Sequence, residues 1–185
     1  MPLPFPAPLL VIRHGETDWN ASGRLQGRQD IPLNARGRAQ AEAVGLALRE
    51  RLDVSRFTCL SSPLQRASET LDLILAQLPG APLSLGRDAR LAEKAFGDWE
   101  GLDMPTIAQR YPEQHARRMA EPYTFRVPGG ESYADAAERV RPLLVAIGLA
   151  SPEVATRMVI HQGRWLELDA AGYAWYSAPG WDAQP

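Results

Sequence analysis

The sequence holds one cysteine and, among 20 basic residues, one lysine, Lys94. A single Cys59 excludes an intrachain disulfide framework and a cysteine-rich zinc site. Its place in the apolar run Phe57-Thr58-Cys59-Leu60 reads as a core thiol. Excess charge of either sign is also missing. The 20 basic and 22 acidic residues leave a net charge of -2, which gives no footprint for a nucleic-acid partner. No apolar run approaches the roughly 20 residues of a membrane-spanning helix. Prolines break up Met1-Pro2-Leu3-Pro4-Phe5-Pro6-Ala7-Pro8, which lacks the basic start and continuous apolar stretch of a signal peptide. These absences read as a cytoplasmic chain with no membrane partner. Internal repeats and linkers are absent as well, so the 185 residues suit one domain, 1–185. What is plentiful is arginine, the better planar clamp for phosphate or carboxylate.

Three short apolar runs predict buried strands: Leu9-Leu10-Val11-Ile12, Phe57-Thr58-Cys59-Leu60 and Arg157-Met158-Val159-Ile160. Helical stripes lie between them. Ala41, Val44, Leu48 and Leu52 share one face behind an Asn34 N-cap, and Leu64, Ala67, Leu71, Ile74 and Leu78 share another. The second helix is entered through Ser62 as cap and Pro63 as first helical residue. Ser132-Tyr133-Ala134-Asp135 has the form of a capping box. It opens a helix that carries Tyr133, Ala136, Val140, Leu144 and Ile147 inward, with Pro142 expected to kink or split it. One or two short helices fill 105–120. Strands alternating with helices predict an α/β fold with a mostly parallel, helix-covered sheet.

In such folds ligands gather beyond the carboxyl ends of the strands. There the sequence places Arg13-His14-Gly15-Glu16-Thr17, Ser61-Ser62-Pro63-Leu64-Gln65-Arg66 and His161-Gln162-Gly163. Two histidines and two arginines thus converge, with Arg66 in the first turn of a helix, where the dipole and open N–H groups favour an anion. The chemistry of a phosphomonoester explains these residue types. Guanidinium forks neutralise its charge, and a neutral imidazole can attack phosphorus. A protonated imidazole steadies the equatorial oxygens, and a carboxylic acid protonates the leaving alkoxide. Two histidines could also bind zinc, but no third ligand stands at a suggestive spacing.

Arg13-His14-Gly15-Glu16-Thr17 with Asn20 resembles the signature of the histidine phosphatase superfamily, which includes the cofactor-dependent phosphoglycerate mutases. Further motifs follow in order: Arg24-Leu25-Gln26-Gly27, Asp30-Ile31-Pro32-Leu33, Gly37-Arg38-Ala39-Gln40-Ala41 and Ser61 to Ala67. Leu91 to Gly101, Pro128-Gly129-Gly130-Glu131-Ser132 and His161 complete the set. The resemblance implies a three-layer α/β/α fold of phosphoglycerate mutase type. It implies His14 as phosphoryl acceptor, and Arg13, Asn20 and Arg66 as phosphate ligands. His161 would complete the pocket, Glu93 would be the proton donor and later base, and Gln26 and Gly27 would border the substrate. Glu100 and Glu16 compete with Glu93 for the acid role. No metal and no cofactor are implied.

The family usually continues from the second histidine into a helix and further strands. Here His161-Gln162-Gly163 passes at once into Arg164-Trp165-Leu166-Glu167-Leu168-Asp169, which reads as a strand. Ala170-Ala171-Gly172 reads as a turn and Tyr173-Ala174-Trp175-Tyr176 as the return strand, so the fold is shortened near the C-terminus. A helix absent there would open one sheet face, from which a homodimer is an expectation. The expected activity is hydrolysis of a small phosphorylated metabolite through phosphohistidine, because Phe96-Gly97-Asp98-Trp99-Glu100-Gly101 resembles the phosphatase branch. Mutase-type phosphoryl transfer and a phosphoester-binding pseudoenzyme are the alternatives.

Overall fold

The computed structural model describes residues 9–146, 164–169 and 172–177. The first strand, β1 (Leu9–Ile12), ends where the polar Arg13-His14-Gly15 begins. The short helix α1 (Asp18–Ala21) follows, opened by a capping box in which Thr17 and Asn20 satisfy each other's backbone N–H groups. In α2 (Ala35–Arg49) the Asn34 side chain accepts from Gly37 N at 2.8 Å, as expected of the N-cap. Its buried face carries Ala41, Val44 and Leu48.

A 3₁₀ turn at Val54–Arg56 leads to β2 (Thr58–Ser61), which is joined through α3 (Gln65–Ala76) to β3 (Ser84–Arg87). The two strands pair in parallel, Thr58 opposite Ser84 and Ser61 opposite Arg87, with α3 as the crossover that parallel strands require. The start of α3 differs from expectation. Leu64, not Ser62, is the N-cap residue, and the Ser62 hydroxyl accepts from Leu64 N at 3.2 Å. That bond closes a tight turn before the helix and delays its first turn by two residues.

Beyond 3₁₀ turns at Ala89–Leu91 and Gly97–Trp99 come α4 (Met104–Arg110), capped by Asp103, and α5 (Pro112–Ala120). The helix α6 (Tyr133–Ala146) opens on the expected Ser132–Asp135 capping box. Of the kink or split expected at Pro142, the split does not occur: the helix runs through it as one element. Its buried face is also rotated from the predicted one, with Leu143 buried and Tyr133 exposed. The exposed Tyr133 still lays its ring 4.7 Å from the ammonium of the buried Lys94. The hairpin β4 (Arg164–Asp169) and β5 (Gly172–Ser177) forms as predicted, and β4 pairs antiparallel with β1, Leu9 opposite Leu168 and Ile12 opposite Trp165. The strand predicted at Arg157–Ile160 lies outside the described residues.

Two apolar clusters carry the fold. One joins Ala41, Val44 and Leu48 of α2 to Ile74 of α3, with Leu10 and Ile12 of β1 against it. The other surrounds Trp99, which is fully buried against Phe125 with ring centroids 5.6 Å apart. Cys59, expected in the core, is half-buried, and burial pushes its thiol up. Among the described residues no helix is long and apolar enough to cross a membrane.

Candidate active site

The loop after β1 is held from two sides. Gly15 N donates to the Thr70 hydroxyl at 2.9 Å, and Glu16 N donates to Gln40 Oε1 at 2.8 Å. Gly15 also meets Gly37 backbone to backbone: a Cβ on Gly15 would lie 2.3 Å from the Gly37 carbonyl oxygen. Only glycine lets α2 approach the loop this closely.

His14 Nδ1 donates to the Gly15 carbonyl at 2.7 Å. The bond places the ring proton on Nδ1 and leaves the Nε2 lone pair available. Burial pushes the imidazole down to about 4, against the opposing pull of the Gly15 carbonyl, and the Arg66 and Arg13 guanidiniums push it further the same way. Near neutral pH the ring is therefore uncharged and nucleophilic. Arg13 is itself shifted down by burial, and the Glu93 carboxylate opposes that shift.

Arg66 is 1% exposed in the first turn of α3. Its Nη1 donates to Gln29 O at 2.8 Å and its Nη2 to Gly27 O at 2.9 Å. Burial lowers its proton affinity, while Glu93, Asp30 and Glu100 oppose the shift. Thr70, one helical turn on, donates to Arg66 O at 2.7 Å while accepting from Gly15 N at 2.9 Å. This one hydroxyl ties the His14 loop to the arginine helix. A polar residue in the series Arg66, Thr70, Ile74, the buried face of α3, was the sequence signal for it.

The loop 26–30 is shaped around these groups. Gln26 is buried, and its side chain accepts from the Thr17 hydroxyl at 2.9 Å. Gly27 has φ +54°, and a Cβ there would fall 2.1 Å from Glu100 Oε1. Glu100 is committed to this loop: Oε1 accepts from Arg28 N at 2.9 Å and Phe96 N at 3.0 Å, and Oε2 from Gln29 Nε2 at 2.8 Å. Glu16 is likewise engaged, by Asn34 Nδ2 at 3.0 Å and Arg36 at 3.9 Å. Glu93 differs from both. It is exposed, and its Oε1 accepts from the neighbouring Lys94 N at 2.7 Å. Asn20 turns Oδ1 toward Thr17 N at 3.1 Å.

His14, Arg13, Arg66 and Glu93 thus form one electrostatically coupled group, with Gln26, Gly27 and Asn20 in the loops beside it. His161 lies outside the described residues. Among the described residues no set of three or more His, Cys, Asp or Glu side chains is arranged to hold a metal ion. Sequence reasoning gave no role to Thr70, Arg28 or Glu131. Glu131 accepts from Ala95 N at 3.0 Å and from Arg139 Nε at 3.0 Å, although its motif Pro128-Gly129-Gly130-Glu131-Ser132 was visible.

A half-buried, neutral histidine flanked electrostatically by two arginines thus follows the first strand of an α/β fold. The chain belongs to the histidine phosphatase superfamily (branch 1), whose family model matches residues 9–166. It is 34% identical over 134 residues to a 2,3-bisphosphoglycerate-dependent phosphoglycerate mutase of Bartonella tribocorum, covering 72% of this chain and 65% of the mutase. It is 36% identical over 137 residues to phosphoserine phosphatase 1 of Hydrogenobacter thermophilus, covering 74% of this chain and 62% of the phosphatase. The chain therefore matches less than two thirds of the length of either relative. Among solved structures it resembles a mycobacterial glucosyl-3-phosphoglycerate phosphatase in complex with VO3. That match has TM-score 0.71 and 28% identity over 96% of this chain and 99% of the other. The α-ribazole phosphatase of Shigella flexneri shares the fold, with TM-score 0.73 and 22% identity over 97% of this chain and 100% of the other.

Proposed function

We propose that the chain is a metal-independent phosphomonoester hydrolase that works through a phosphohistidine at His14 on a small phosphorylated metabolite. The observation that carries this reading is the His14 ring: Nδ1 bonded to Gly15 O at 2.7 Å, with the imidazole held neutral between Arg13 and Arg66. Nε2 attacks phosphorus, the bond from phosphorus to the ester oxygen breaks, and the leaving alkoxide takes a proton from the Glu93 carboxyl group. Arg13, Arg66 and the donor end of the Asn20 amide hold the phosphoryl oxygens, and His161 adds a further positive partner. Water then attacks the phosphohistidine, Glu93 takes its proton, and inorganic phosphate leaves with Nε2 restored. Gln26 and Gly27 border the ester group. The phosphatase relatives support hydrolysis of small phosphoesters as the activity.

The test is phosphate release from p-nitrophenyl phosphate in excess chelator, comparing the intact protein with His14→Ala. Turnover that survives the chelator and disappears in the variant is the expected result. Activity retained by His14→Ala refutes the mechanism, and phosphate binding without turnover points to a pseudoenzyme. The mutase relative favours a second reading, transfer to a bound sugar acid. Isomerisation of a phosphoglycerate outpacing its hydrolysis would select that reading.

A further inference from the structure

Arg28 is an exposed side chain with an unusual number of fixed partners. Its backbone N donates to Glu100 Oε1 at 2.9 Å, its Nε to the Glu93 carbonyl at 2.7 Å, and its Nη2 to Glu131 Oε2 at 3.2 Å. Glu131 is anchored in turn by Ala95 N at 3.0 Å, by Arg139 Nε at 3.0 Å and by Arg139 Nη2 at 3.1 Å. Its backbone also grips the segment after Glu93, through Glu131 N to Ala95 O at 2.9 Å and Lys94 Nζ to Glu131 O at 3.2 Å. An ion pair this exposed adds little to stability, so its significance lies in what it connects.

The residues on either side of Arg28, Gly27 and Gln29, supply the two carbonyls that hold the Arg66 guanidinium. Arg28 itself holds the backbone of Glu93. One short loop therefore fixes the phosphate clamp on one side and the proton donor on the other. We infer that Arg28 is a positioning residue that sets Glu93 at the right distance from the phosphoryl group bound by Arg66. It acts through the Glu93 carbonyl and needs no contact with substrate. This inference rests on the acid role given to Glu93 above.

Proton donation matters in proportion to how poor the leaving group is, which gives a readout that a general structural defect would not mimic. The experiment measures kcat/KM for aryl phosphates running from p-nitrophenyl to phenyl and p-methoxyphenyl phosphate. It compares the intact protein, Arg28→Ala, Glu93→Gln and the double variant, with thermal melts confirming that each is folded. Arg28→Gln, which keeps chain length without the guanidinium fork, serves as a second variant with the same expectation. Arg28→Ala is expected to lose about tenfold or more on the poorest leaving group but within about threefold on p-nitrophenyl phosphate. In the Glu93→Gln background the Arg28 substitution is expected to add no leaving-group dependence. An equal loss across the series overturns the inference, because it means that Arg28 touches the phosphate or supports the fold generally. If Glu93→Gln shows the dependence and Arg28→Ala does not, Arg28 alone loses its role. If Glu93→Gln shows none, the acid assignment fails and takes this inference with it.

Discussion

Acidification from pH 7 to 4 is expected to cost the folded chain about 3 kcal/mol through His14 alone. The unperturbed imidazole takes up its proton near 6.5, whereas burial holds the native ring down to about 4. Between those values the unfolded chain binds a proton that the native chain refuses, so native stability falls as pH falls through that window. At about 1.4 kcal/mol per pH unit, the interval amounts to about 3 kcal/mol at pH 4, and below that the native ring also protonates and the loss levels off. Urea unfolding of the intact protein and of His14→Gln, each at pH 7, 5.5 and 4, isolates this contribution, because glutamine does not titrate. The difference between the two proteins should shift by about 3 kcal/mol from pH 7 to 4, in the direction that favours the variant at low pH. Parallel pH dependences would refute the argument that burial keeps this ring neutral. A histidine NMR signal that titrates near 4 in the intact protein, and is missing from the variant, is the independent check.

Gly27→Ala forces a positive φ on an alanine and drives its Cβ into Glu100 Oε1. A loss of about 2 kcal/mol, read as a fall in Tm of about 4–8 °C, is expected together with reduced phosphate affinity as the Arg66 carbonyls shift. Thr70→Val keeps the shape but removes the acceptor of Gly15 N, so unfolding should show a loss of about 1–3 kcal/mol. An unchanged kcat/KM in that variant would mean that the Thr70 tie does not align His14 with Arg66. Trp99→Ala empties the centre of the second cluster and is expected to cost about 3–5 kcal/mol in denaturant melts, well beyond what a surface tryptophan would show.

Where the sequence carried a local signal, it was legible. The Asn34 cap, the Ser132–Asp135 box and the C-terminal hairpin depend on neighbours in the chain and stand as read, and the run Leu9 to Ile12 is a strand as read, though half-buried rather than buried. The misses depended on distant partners or on competing turns. Ser84-Leu85-Gly86-Arg87 was not singled out as a strand, because three of its four residues are exposed and its pairing with β2 supplies what its composition does not. Tyr133 is exposed rather than inward, while its ring reaches the buried Lys94 ammonium, a partner 39 positions upstream. In the site, the motif residues could be picked out by type and position. The bonds that hold them could not: Thr70 reaches Gly15 across 55 positions, and Arg28 reaches Glu93 across 65.

The pairing of β1 with β4 also governs the order of assembly. Each residue of the strand leading into His14 meets a partner more than 150 positions downstream, from Leu9 with Leu168 to Ile12 with Trp165. The cluster between α2 and α3 needs only contacts that are close in sequence, so it can condense early, during synthesis. The strand leading into His14 has no such option, because its ladder to β4 cannot form until the ribosome has delivered residue 168. Until then the side of the strand that β4 covers stays open. Its ladder to β4 therefore forms after the cluster between α2 and α3 can, and in that interval a chaperone that shields the open side of this strand would protect it from pairing with other chains.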